Sequence, residues 1–102
     1  MSTLHDVVGE VISERYRQDA KWGEQNHPDG WSGTDDDRRA AMTARVRCQQ
    51  AAADGAVTWR HILEEEHAEA FAERDPAKLR AELVQVAAVA VAWIQDIDRR
   101  PR

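Results

Sequence analysis

Trp59-Arg60-His61-Ile62-Leu63-Glu64-Glu65-Glu66-His67-Ala68-Glu69-Ala70-Phe71-Ala72-Glu73 is followed by Arg74-Asp75-Pro76 and then by a longer apolar segment. At about 100° per residue, Trp59, Ile62, Leu63 and Ala70 share one face of a helix. Glu66 and Glu73 fall inside that arc, and Glu69 sits on its flank. Three carboxylates therefore point toward the side that the aromatic and aliphatic residues mark as interior. A buried, unpaired carboxylate is costly, and several together repel one another or take up protons. A divalent cation relieves both, because Mg²⁺ prefers carboxylate oxygens and retains waters that a phosphate can replace. The competing reading is a solvated helix face laced with Glu–Arg pairs at i,i+4.

Asp75-Pro76 ends this helix and opens the next, with proline at the first helical position. The fourth helix is predicted from about Pro76 to Arg99. Leu79, Leu83, Val86, Ala90, Trp93 and Ile97 recur in steps of four and three, while Val84, Val89, Val91 and Ile94 occupy other sides. A helix apolar nearly all round is buried on more than one side, and in so short a chain a second copy of itself is the simplest cover. Glu82 lies beside Leu79, Leu83 and Val86, with Gln85 one turn on. The short link makes helices three and four an antiparallel hairpin. Glu69 and Glu82 stand at similar depths on either side of the turn, so their carboxylates are expected to converge.

Working back toward the N-terminus, Thr3 with Asp6 reads as a capping box opening a helix from about Leu4 to Trp22. Leu4, Val7, Val8, Val11 and Ile12 form its apolar stripe. Gly23 to Gly33 holds three glycines and a proline, is flanked by Trp22 and Trp31, and reads as an ordered or semi-ordered loop, of a length that in so small a domain is often functional. Helix two is predicted from Asp35 to Asp54, capped by Thr34 with Asp37, with Met42, Val46 and Ala53 as a thin stripe and Gly55 as its stop. Helix three follows Thr58 as N-cap and ends near Arg74. The expectation is an all-α, four-helix, single-domain chain over residues 1–102, its bundle completed by oligomerisation.

Composition bounds the partners. The 102 residues hold 19 acidic and 14 basic side chains, for a net charge of −5. That opposes general nucleic-acid binding, which needs a basic face. The single cysteine, Cys48, excludes an internal disulfide and a cysteine metal cluster, and reads as inert. No basic start with a long apolar core is visible, and the run from Val86 to Ile94 is too short to span a bilayer. No membrane association and a cytoplasmic location are the resulting expectations.

Glu65-Glu66-x-x-Glu69 on one helix and Glu82-x-x-Gln85 on the next resemble the paired EExxE and ExxD motifs of the all-α nucleoside triphosphate pyrophosphohydrolase superfamily, the MazG-like proteins. Gln85 stands where the motif has Asp; its amide oxygen is a neutral and weaker ligand. The motif region covers roughly Thr58 to Ile97. Arg17-Gln18 and Lys21-Trp22-Gly23-Glu24-Gln25-Asn26-His27-Pro28 are similar to small members of the group. The resemblance implies a four-helix MazG-like fold, a homo-oligomer (dimer or tetramer), and Mg²⁺, with Mn²⁺ as substitute, held by carboxylates. It implies hydrolysis of the α–β phosphoanhydride bond of a nucleoside triphosphate, giving a monophosphate and pyrophosphate.

By position in the motif, Glu65 and Glu66 would be catalytic, and Glu66, Glu69, Glu82 and Gln85 would hold the metal. Lys21, Arg60 and Arg80 are candidates for the distal phosphates, with His61 a lesser one. Trp22 and His27 are candidates for stacking on and hydrogen-bonding a base. Each cation reads more simply as an exposed partner of a nearby Glu, and Trp22 reads equally as a plug closing helix one. Trp59 and Trp93 read as core; Trp31 has no evident partner. Two other function classes compete. One is a non-catalytic helical module that binds a nucleotide or a protein, which Gln85 favours. The other is a ferritin-like metal protein, suggested by Glu64-x-x-His67; that pair points toward Phe71, away from the interior stripe.

Overall fold

The computed structural model describes residues 2–101. Among them are four helices and no strand: α1 (Leu4–Trp22), α2 (Asp36–Ala53), α3 (Trp59–Ala72) and α4 (Pro76–Arg99). The chain divides into two compact units, one of Met1–Asp29 with Val91–Arg102, the other of Gly30–Ala90. No helix among the described residues is long and apolar enough to cross a membrane.

In the first unit, the Thr3–Asp6 capping box forms as expected. The Thr3 hydroxyl accepts from the Asp6 amide at 3.1 Å and the Asp6 carboxylate accepts from the Thr3 amide at 3.0 Å. These bonds hold the Asp6 carboxyl below its ordinary value. Gly23 stops α1 at φ +69°, a conformation open to glycine. Of the expected stripe only Val7 is buried; Leu4, Val8, Val11 and Ile12 are exposed.

The second unit is built around α3, which α2 packs against. Ala68 and Ala70 are its buried side chains. Two residues apart, they lie on nearly opposite sides of the helix, so α3 is covered from two directions. Thr58 caps α3, its hydroxyl accepting from the His61 amide at 3.2 Å, while the His61 ring accepts from the Thr58 amide at 3.1 Å. His61 thus spends its Nδ1 on the cap. After Ala72, the Glu73 carboxylate accepts from the amides of Arg74 and Asp75, and the Asp75 carboxylate accepts from the Lys78 amide. Those three bonds turn the chain and start α4 at Pro76.

Helix α2 departs from expectation in two ways. Its N-cap is Asp35, without a side-chain cap bond, rather than Thr34. Thr34 instead accepts from the Asp36 amide, and the Asp37 carboxylate accepts from the Ser32 hydroxyl, so the neighbouring loop uses both side chains. The expected stripe also faces outward: Met42 is 62% and Val46 63% exposed, and Ala53 is exposed. Asp37, Ala41, Ala44, Cys48 and Ala51 are the partly covered positions, spaced three and four apart, and all but the first are small. Small side chains let two helix backbones approach closely, so the thin face packs and the bulkier one does not.

Candidate metal centre

Glu66 and Glu69 stand one turn apart on α3, and the reversal at Asp75-Pro76 returns α4 so that Glu82 meets them. One carboxylate oxygen from each lies within 4.8 Å of the other two. All three residues are partly buried. Glu66 Oε2 and Glu82 Oε2 are fully covered and find no hydrogen-bond partner among the described residues. Burial, and then the charges of Glu69, Glu82 and Glu65, raise the Glu66 carboxyl above its ordinary value.

This donor set fits a hard divalent cation. Mg²⁺ holds oxygens at about 2.0–2.1 Å in an octahedron, which places neighbouring ligand oxygens about 3–4 Å apart. The three oxygens gather within 4.8 Å of one another, and two orphaned carboxylate oxygens are available as ligands. A cation there would both supply the missing partners and offset the mutual repulsion.

Beside the carboxylates opens a cavity of about 370 Å³. Glu69, Glu73 and Glu82 form its acidic side, and Arg38, Arg45 and Arg74 its basic side. Arg45, from α2, reaches Glu69 at 3.4 Å. Arg74 stacks over Trp31, its guanidinium carbon 3.9 Å from the ring centroid. An exposed cation–π contact contributes about 0.5–1 kcal/mol, and this one ties the end of the glycine-rich loop to the cavity's edge. Trp31 therefore has the partner that its position in the sequence did not reveal.

Glu65 lies elsewhere. It faces α2 and accepts the Cys48 thiol; burial, and then that bond, hold the thiol above its ordinary value. Cys48 is thus a protonated packing residue, in keeping with its inert reading. Gln85 is exposed on α4 and does not line the cavity. Arg60 pairs with Glu64 at 2.9 Å on the outer side of α3, lowering the Glu64 carboxyl. Arg80 is exposed and also lies outside the cavity lining. Lys21, Trp22 and His27 belong to the other unit; there Lys21 sits over the Trp22 ring at 4.8 Å and His27 bonds Gln25 at 3.2 Å. Glu64 and His67 are outside the carboxylate cluster, and His67 lies 5.3 Å from the Phe71 ring.

The cavity's cations are the residues that sequence reasoning missed. Arg38, Ala41 and Arg45 recur at i, i+3 and i+7, a helical signal on the face adjoining the small-residue seam. The apolar stripe drew attention to the opposite side of α2. Compared with protein-family models, with curated proteins and with solved structures, the chain matches none.

Proposed function

We propose that the chain is a Mg²⁺-dependent nucleoside triphosphate pyrophosphohydrolase of the MazG-like kind, cleaving between the α and β phosphates. The observation that carries this reading is the convergence of Glu66, Glu69 and Glu82 from two helices, with buried carboxylate oxygens left unpartnered. Glu66, Glu69 and Glu82 would hold the metal, Mg²⁺ or Mn²⁺. A divalent cation held there would supply charge neutralisation for the phosphates and a lowered pKa for a coordinated water. The chain's own contribution is position: α3 and α4 fix three ligands on facing helices, and the adjoining cavity admits the polyphosphate. Glu65, turned toward Cys48, would support the cluster through charge.

The test is incubation of the pure protein with Mg²⁺ and a panel of nucleoside triphosphates, followed by assay of pyrophosphate. Glu69→Gln is expected to abolish turnover with the helical content intact. Full activity in that variant would remove the cluster from the mechanism.

The exposure of Gln85 favours a second reading, a non-catalytic nucleotide-binding module. Its signature would be thermal stabilisation by Mg²⁺ and nucleotide with no pyrophosphate released.

We also infer a homo-oligomer. Leu4, Val11, Ile12 and Tyr16 on α1 and Leu83, Val84, Ile94 and Ile97 on α4 are all exposed. Runs of large apolar side chains at helical spacing mark surfaces that associate. Light scattering at micromolar concentration is expected to give at least a dimer; a monomer alone would refute it.

A further inference from the structure

We propose that Arg45, assisted by Arg38, anchors the polyphosphate of the ligand, and that Arg45 is held in reserve by Glu69 until a divalent cation takes that carboxylate. The inference rests on the pyrophosphohydrolase reading for its metal, and it adds the residues that receive the anion. Three guanidiniums line the cavity, and their circumstances differ. Arg74 is engaged by the Trp31 ring. Arg38 makes no ion pair among the described residues. Arg45 reaches across from α2 to Glu69 at 3.4 Å, long for a charge-assisted bond, with its own side chain 60% exposed and that of Glu69 only 23%. Such a long, half-exposed pair is weak and separates readily.

Glu69 has two claims on its charge. Among the described residues it is the one member of the carboxylate cluster with a cationic partner from another helix. A divalent cation bound by the cluster competes directly with Arg45 for that carboxylate. Once displaced, the Arg45 guanidinium faces the cavity without its Glu69 partner, beside a metal that itself attracts an anion. Guanidinium groups bind phosphate oxygens through paired hydrogen bonds, which fits them to receive it. Arg38 and Arg45 are seven residues apart on the same side of α2, about 10.5 Å along the axis. Two anchors at that separation suit a chain of several linked phosphates better than one small anion. Cation and polyphosphate then favour each other's binding through the Glu69–Arg45 exchange.

Calorimetry with inorganic triphosphate, at saturating Mg²⁺, tests this without reference to a base or to turnover. Arg45→Ala and Arg38→Ala are each expected to weaken triphosphate about tenfold or more, the loss of a hydrogen-bonded charge. Arg99→Ala, at the far end of α4, is expected to leave it unchanged. Titration of Mg²⁺ alone supplies the second readout. Arg45→Ala should bind Mg²⁺ as tightly as wild type or more so, since Glu69 has lost its competitor. A residue that merely held α2 against α3 would weaken both ligands together, and that result would overturn the proposal. So would triphosphate affinity unaltered in both variants, or no triphosphate binding by wild type. Arg45→Lys, retaining the charge, should recover part of the affinity and guards against misfolding as the cause. If the two arginines prove necessary for binding while no nucleotide is hydrolysed, the anchor stands and the hydrolase reading fails.

Discussion

Glu66 on α3 and Glu82 on α4 each turn one carboxylate oxygen, Oε2, into the interior, where neither meets a donor among the described residues. The two side chains and Glu69 gather their oxygens within 4.8 Å. Two unpaired acceptors at one helix contact are unfavourable in the absence of a cation. The tension between stability and ligand binding at this contact leads to the first two predictions.

Glu66→Gln removes one charge from the cluster and supplies an amide donor for the oxygens beside it. The metal-free variant is expected to be more stable than wild type, by on the order of 1 kcal/mol, or about 4–8 °C in Tm for a domain of this size. The same variant should lose most of its stabilisation by Mg²⁺. Thermal melts with and without Mg²⁺ measure both; a destabilised metal-free variant would contradict the electrostatic account.

The pH dependence carries a definite sign. Burial first, and then Glu69, Glu82 and Glu65, raise the Glu66 carboxyl in the fold. Between the ordinary glutamate value and the raised one, the folded state binds more protons than the unfolded state, so stability falls as pH rises. This contribution is complete below the ordinary value and is lost as pH climbs through the folded one. Metal-free wild type should therefore gain stability relative to Glu66→Gln on acidification from neutral toward about pH 5. Saturating Mg²⁺, which favours the ionised carboxylate, should remove or reverse the difference. Parallel Tm profiles for the two proteins across that range would refute the assignment.

Gln85 lies one turn beyond Glu82 on α4 and is exposed. Aspartate at this position would put a charged oxygen one turn from Glu82. Gln85→Asp is expected to tighten Mg²⁺ about tenfold, read by calorimetry, and to raise any pyrophosphate release. An unchanged Mg²⁺ affinity would place residue 85 outside the metal's reach.

Ala70 is 1% exposed on α3, whereas Ala53 on α2 is open to solvent. Ala70→Leu forces extra volume into a close helix contact and is expected to cost about 1–3 kcal/mol. Ala53→Leu should change stability by less than about 0.5 kcal/mol. Denaturant midpoints of the two variants distinguish this packing from one in which Met42, Val46 and Ala53 form the buried face.

The sequence by itself determined the helices. Thr3 with Asp6, Thr58 with His61 and Asp75 with Lys78 close their bonds within three residues, so the starts of α1, α3 and α4 follow from local chemistry. It also indicated that Glu66, Glu69 and Glu82 would meet, because a three-residue link between regular helices leaves their register little freedom. Only the tertiary structure decided which face of α2 is covered. Periodicity weighs side chains by hydrophobicity, which favours Met42 and Val46, whereas close helix packing favours the small residues Ala41, Ala44, Cys48 and Ala51. That choice of face brings Cys48 to Glu65 and Arg45 to Glu69, pairs separated by long stretches of chain and without a local signal. The arginines beside the carboxylates are therefore a consequence of helix packing, which no spacing within a single helix records.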